Sequence, residues 1–301
     1  MPLDQLAWDD LLTEVNDGSC VPFIGAGANF GCLPLGGALA EELLQVYERS
    51  PDAKPCSLRD RRDLMRVTQY LVVVTNNSKR PKTMIRDLIK DKPAPTPSDD
   101  EPHEILARLN LPIYITTNYD DNMKKALERH GRDVRVEVCR WNTRMRRQSA
   151  FDDPDYRPSP ESPLLFYLHG RNDDPESMVA TEEDYLDFMV QMSRGLTEWQ
   201  SGGQTQGMFP PVVLRALTQS LLFIGYSLSD FNLKVILRAL SHSFGPRKVF
   251  RATVQYDDGN LFAGQEYLEE YFRFALNLSV YWGTSRQFMG ELTRRRSPSD
   301  A

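Results

Sequence analysis

The sequence predicts an α/β fold: a doubly wound parallel sheet with a helical insertion at about residues 51–100. Three observations lead there. Short apolar runs alternate with helix-periodic segments through most of the chain, as the strands and crossover helices of a parallel sheet require. The first of these runs, 21–24, passes at once into Gly25-Ala26-Gly27, a tight turn after a buried strand. The alternation breaks only over 51–100 and then resumes. At 301 residues the chain can form one large domain of this kind, spanning 1–301.

The elements follow in order. Residues 5–17 read as a helix packing Leu6, Leu11, Leu12 and Val15, stopped by Asp17-Gly18. After the strand at 21–24 and its glycine turn, Pro34 and Gly36-Gly37 delay the next helix to about 37–48. The insertion holds two helices, roughly 57–74 and 82–90, and a polar, proline-rich loop at 92–100 closes it. Next come a helix at 103–109, a strand at 113–116, a helix at 120–130 ended by Gly131, and a strand at 134–138. A second proline-rich loop covers about 151–163. The strand at 164–168 leads to a helix capped by Thr181 and running to about 193, and Gly202-Gly203 marks a turn. Helices at 211–219 and 230–244 flank a strand at 221–224, with Leu233, Ile236, Leu237 and Leu240 on one face of the second. Strands at 249–256 and 276–281 then alternate with helices at 264–275 and 285–295, completing a Rossmann-like arrangement.

Composition excludes several classes. The net charge of −6 argues against broad nucleic-acid binding, so no direct contact with nucleic acid is expected. The basic clusters Arg144, Arg146, Arg147 and Arg294, Arg295, Arg296 read as solvated faces. The first twelve residues carry Asp4, Asp9 and Asp10 without Lys or Arg, unlike a secretory signal. The longest apolar runs are far too short to span a bilayer. A cytoplasmic protein without membrane contact is expected. Cys20, Cys32, Cys56 and Cys139 are scattered without a Cys-x-x-Cys pair, so neither a disulfide framework nor a metal site is expected.

Four segments carry chemistry, each directly after an apolar strand. Gly25-Ala26-Gly27-Ala28-Asn29 can bring backbone amides against a diphosphate, or simply form a tight corner; Phe30 replaces the third glycine of the dehydrogenase fingerprint. Thr116-Thr117-Asn118-Tyr119-Asp120 offers a donor, an acceptor and a charge where open parallel sheets bind ligands, or an ordinary helix cap. Leu168-His169-Gly170 supplies an acid–base group, or a satisfied core histidine. Gly225-Tyr226-Ser227-Leu228-Ser229-Asp230 can hold ribose hydroxyls or phosphate, or again cap a helix.

In this order the segments resemble the sirtuin superfamily, and most closely the bacterial sirtuin-like NAD hydrolases of antiphage defence. The likeness rests on Thr116-Thr117-Asn118-Tyr119-Asp120, on Tyr167 through Gly170, on Thr181 with Asp184-Tyr185, and on Gly225 through Asp230. It covers about 21–254, excluding 51–100. Thr117 stands where the deacetylase branch has glutamine, and no cysteine follows Cys139, so that branch's four-cysteine zinc module is absent. This weakens deacetylation and leaves NAD cleavage.

The resemblance implies NAD as substrate and no metal. It implies that Gly25, Ala26 and Gly27 hold the diphosphate and that Asn118 positions the attacking water beside the nicotinamide ribose. Asp120 would contact the carboxamide, and His169 would bond a ribose hydroxyl and act as base. Thr117, Tyr119 and Gly225 would line the cofactor, with Ser227 and Asp230 on its adenosine half. Homo-oligomers are implied, with a partner such as a HerA-type ATPase or a short Argonaute. The alternatives are a sensor that binds NAD or ADP-ribose without turnover, and an NAD-dependent deacylase or ADP-ribosyltransferase.

Overall fold

A computed structural model describes residues 5–29, 31–142, 149–201, 208–226, 235, 237–238, 251–255 and 264–296. Its described strands form one seven-stranded sheet in the order β3-β4-β2-β1-β5-β6-β7. They are β1 (Cys20–Ile24), β2 (Ile113–Thr116), β3 (Arg135–Val138), β4 (Leu164–Tyr167), β5 (Ser220–Ile224), β6 (Arg251–Gln255) and β7 (Ser279–Trp282). Every pairing is parallel. The chain starts at the central strand, steps to β2, reaches the sheet edge with β3, fills the gap between them with β4, and returns to the other side of β1 with β5. The direction of winding therefore reverses between β1 and β5.

The α-helices given bounds among the described residues are α1 (Gln5–Asn16), α2 (Gly36–Glu48), α3 (Leu64–Thr75), α4 (Arg80–Lys90), α5 (Pro102–Ala107), α6 (Asn122–Arg129), α7 (Glu182–Gln200), α8 (Pro211–Ala216), α9 (Gln265–Leu276) and α10 (Ser285–Arg296). They cover both faces of the sheet. Val21, Phe23, Ile113, Ile115, Leu164, Phe166, Leu221 and Phe223 face one layer, containing Phe188, Met192, Val213 and Phe272 of α7, α8 and α9. Cys20, Ile24, Tyr114, Leu165, Tyr167, Leu222 and Ile224 face the other, where α1, α5, α6 and α10 place Trp8, Ile105, Met123 and Phe288. Two buried faces explain why the strands read as continuous apolar runs rather than alternating ones.

A third core joins α2, α3 and α4 through Leu43, Leu44, Val67, Leu71 and Ile85, and it includes Met178 and Ala180 from the loop after β4. The lobe between β1 and β2 is thus packed against the carboxyl edge of the sheet.

Several boundaries differ from expectation for local reasons. The helix expected from 57 begins at Leu64, because the Asp63 carboxylate accepts the Arg66 amide and caps it. The helix expected from 120 begins at Asn122, whose amide donates to Asp120 Oδ1 at 2.9 Å. The helix expected to end near 193 continues to Gln200. Asn277, left-handed at φ 50°, ends α9, so the last strand starts at Ser279 rather than 276. The turn at Gly202-Gly203, most of the helix expected at 230–244, the Arg144–Arg147 cluster, Ser227 and Asp230 lie outside the described residues.

Candidate functional site

Parallel pairing brings the sequence-distant segments together. Ile24 is in register with Thr116 and with Ile224, and Thr116 is in register with Tyr167. Each strand turns out of the sheet at that level. Gly25, Thr117, Leu168 and Gly225 therefore leave four adjacent strands side by side, with His169 at one end of the row and Gly225 at the other. Such carboxyl edges, where winding reverses, are where open α/β sheets bind ligands.

The glycine turn is shaped by its neighbour. Gly25 N donates to Ile224 O and Gly27 N to Gly225 O, each at 2.8 Å. A side-chain carbon on Gly27 would lie 2.8 Å from Gly225 Cα, and one on Gly25 would lie 2.9 Å from the Tyr226 ring. A valine at Gly27 would therefore collide with the Gly225 backbone. Gly27→Val is expected to cost stability as well as ligand affinity, read by urea melts beside calorimetric NAD binding. Ser285, at the start of α10, donates its hydroxyl to Gly27 O at 3.3 Å from the far side.

The segment after β2 is tied to this turn. Asn118 Nδ2 donates to Gly25 O at 3.0 Å, and Asn118 N donates to Thr116 Oγ1 at 3.0 Å. Thr117 N donates to Ile24 O at 3.0 Å, and the Thr117 hydroxyl shares a 2.7 Å bond with the Tyr226 hydroxyl. Asp120 is buried. Its Oδ2 accepts from Asn29 Nδ2 at 2.7 Å, while Asn122 Nδ2 donates to Asn29 Oδ1 at 2.8 Å. Burial raises the Asp120 carboxyl above the ordinary aspartate range, opposed by nearby His103 and by the bonds from Asn122 and Asn29. Tyr119 turns away and donates its hydroxyl to Val179 O at 2.6 Å.

His169 is 5% exposed. Its ring meets the edges of Tyr185 and Phe188 at 5.4 and 5.0 Å, and its Nε2 has no hydrogen-bond partner among the described residues. Burial lowers its pKa from 6.5 to about 3, so the imidazole is neutral near pH 7 and Nε2 can act as a hydrogen-bonding group toward a ligand. Gly170, at φ +84°, lies directly beneath Ser177: a side-chain carbon there would be 2.1 Å from Ser177 O.

The depressed His169 pKa has a testable consequence. The unfolded chain takes up the proton near pH 6.5 and the folded chain only near 3. The histidine's contribution to stability is present above about pH 6.5 and is lost as pH falls toward 3. In urea melts at pH 7.5, 6 and 5, wild type is expected to lose more stability than His169→Gln. A constant gap between the two proteins would show that the imidazole titrates freely.

Residues 25–27, Thr117, Asn118, Asp120, His169 and Gly225 thus share one edge, while the Tyr119 hydroxyl serves the loop behind it. Sequence reasoning assigned no role to Asn29, Asn122 or Tyr226. The available signals were an asparagine directly after the glycine turn and a tyrosine between Gly225 and Ser227.

The doubly wound sheet, with its glycine turn, asparagine and buried histidine on a single edge, has the architecture of the sirtuin class. A family profile described as the SIR2-like domain matches residues 112–276, more than half of the chain, and the chain belongs to that family. Similar proteins include three named NAD(+) hydrolase ThsA. The one from Acinetobacter baumannii is 23% identical over 95% of this chain and 55% of its own length. That from Bacillus cereus is 25% identical over 81% of this chain and 44% of its own. That from Enterococcus faecium is 26% identical over 58% and 31%. The chain spans about half the length, or less, of these relatives.

Proposed function

We propose that this protein hydrolyses NAD at the nicotinamide–ribose bond, releasing nicotinamide and ADP-ribose. The observation that carries the reading is the single register level from which the glycine turn, Asn118 and His169 leave adjacent strands, with a neutral imidazole nitrogen at one end that has no hydrogen-bond partner among the described residues. The names of the three relatives support the same chemistry.

Nicotinamide leaves NAD as a neutral base from a cationic ring, so departure needs little acid assistance. The transition state is oxocarbenium-like, as in glycoside hydrolysis. The protein must hold the ribose, stabilise growing positive charge and place a water. In this reading the turn at Gly25, Ala26 and Gly27 holds the diphosphate. Asn118, fixed by Gly25 O, positions the water, and His169 accepts a proton from a ribose hydroxyl or from that water. Asp120, already oriented by Asn29 and Asn122, faces the carboxamide. Thr117 and Gly225 complete the cofactor wall, with Ser227 and Asp230 assigned to the adenosine half; Tyr119, expected there from the sequence, instead braces the loop at Val179. No step is assigned to a metal.

Incubation of the purified protein with NAD, alone and with candidate partners, followed by chromatography, tests the reading. Equimolar nicotinamide and ADP-ribose are expected. Intact NAD recovered from a bound complex would favour a sensor, and ADP-ribose transferred to protein would favour a transferase.

Such an activity would deplete the cell's cofactor, which suits antiphage defence by abortive infection in the cytoplasm and calls for restraint in a resting host. We place that restraint in a homo-oligomer or in a partner such as a HerA-type ATPase or a short Argonaute. Among the described residues, no helix is long and apolar enough to cross a membrane. Light scattering at micromolar concentration is expected to show an oligomer, and a monomer would remove the first of these controls.

A further inference from the structure

The loop after His169 packs behind the site edge as a strap of residues 177–181, and its carbonyls are held from three different elements. Trp141 Nε1 donates to Ser177 O at 2.7 Å. The Tyr119 hydroxyl donates to Val179 O at 2.6 Å. The Thr68 hydroxyl of α3 donates to Ala180 O at 2.7 Å. The strap in turn fixes the histidine, because Val179 N donates to His169 O at 2.9 Å and Ser177 O lies over Gly170.

The strap's last two amides, Ala180 N and Thr181 N, donate to Asp184 Oδ2 at 3.1 and 2.9 Å, while Asp184 N donates to Thr181 Oγ1 at 3.1 Å. This accounts for the threonine and the Asp-Tyr pair at the start of α7: the threonine and aspartate form a reciprocal cap, and Tyr185 lies against the His169 ring. The second Asp184 oxygen is taken by Lys82 of α4, with Nζ at 2.8 Å. Both side chains are largely buried, at 9% and 14% exposure, and the ammonium also sits 5.4 Å from the centre of the Trp141 ring. A buried ammonium is tolerated only with such partners.

We propose that the Lys82–Asp184 pair is a clamp through which the α2–α4 lobe positions His169 for the NAD cleavage proposed above, on which this inference rests. Lys82 acts through Asp184 and the strap, not on substrate, and is a positioning residue. The lobe thereby reaches the site through this pair, and a change at the pair is felt at the histidine while loosening of the lobe elsewhere is not.

The test compares Lys82→Met with Leu43→Ala, which loosens the same lobe from α2, a helix that makes none of the strap bonds above. Turnover is measured at a temperature where both variants are folded by circular dichroism. Lys82→Met is expected to lower kcat by roughly tenfold or more with little change in KM, the pattern of lost transition-state positioning. Leu43→Ala is expected to keep kcat. The second readout does not depend on turnover. The chain has four histidines, and the ¹⁵N-imidazole signal of His169 is assigned by its loss in His169→Gln. That signal is expected to shift in Lys82→Met and not in Leu43→Ala. An unshifted signal in Lys82→Met, or an equal kcat loss in Leu43→Ala, overturns the clamp. If wild type cleaves no NAD, the functional reading fails and the imidazole signal alone decides the clamp. Thr68→Val, nearly isosteric, cuts one strap bond and takes the place of Lys82→Met if that variant does not fold, with the same direction expected.

Discussion

Asn118→Ala and His169→Ala are each expected to lower NAD cleavage by about 10²-fold or more, the scale of losing a positioned acid–base or water-orienting group. In the proposed mechanism the two side chains do different work, so the two losses have different companions. His169→Ala removes a neutral base whose Nε2 makes no protein bond among the described residues. What remains is a small apolar gap against Tyr185 and Phe188, so kcat falls much further than stability. Asn118→Ala also cuts the bond to Gly25 O, so it loosens the glycine turn and weakens NAD binding together with kcat. Steady-state kinetics with matched thermal melts read both effects. Native turnover in either variant would remove that residue from the mechanism.

Gly225→Ala is expected to be among the most damaging single changes to the fold at this edge. Gly225 has φ +76°, and a side-chain carbon on it would lie 2.2 Å from Ala28 N and 2.7 Å from Gly27 C. The neighbours are backbone, so no side chain can swing aside. The two turns would have to separate, losing the Gly27 N to Gly225 O bond, and the left-handed conformation would add strain of its own. A cost of about 4 kcal/mol or more is expected, in the range reserved for backbone strain and overpacking. Gly36→Ala is the control. Nothing lies within 4 Å of a side-chain carbon there, the residue opens α2, and alanine is the better helix former. Urea melts should show a large loss in the first variant and a neutral or small positive change in the second. A well-folded Gly225→Ala protein would mean that the turns are not in contact as described.

The fold was legible because the strands are short, apolar and parallel. A strand buried on both faces declares itself as a run such as 221–224, and in a parallel sheet the residues just after every run emerge on the same edge. Asn118 and His169 could therefore be grouped from sequence order alone. The contacts that fix them could not. Asn29 and Asp120 are 91 residues apart, and each looks locally like a turn residue or a helix cap, so their pairing is visible only in three dimensions. The same holds for Lys82 and Asp184, separated by 102 residues. Gly27 illustrates a different limit: the sequence shows that a small residue is needed there but not what it makes room for, and the neighbour is the Gly225 backbone. The late start of α3 was not visible because Asp63 caps it through its own carboxylate, and an acidic residue in a polar stretch is a weak boundary signal.

The most direct test of the central claim is a crystal structure of the slowed Asn118→Ala variant with NAD. The account predicts one NAD along the carboxyl edge of the sheet, its diphosphate against the turn at Gly25, Ala26 and Gly27 and its nicotinamide ribose between position 118 and His169. NAD bound away from that edge, or lying there with its nicotinamide ribose remote from His169, would contradict it.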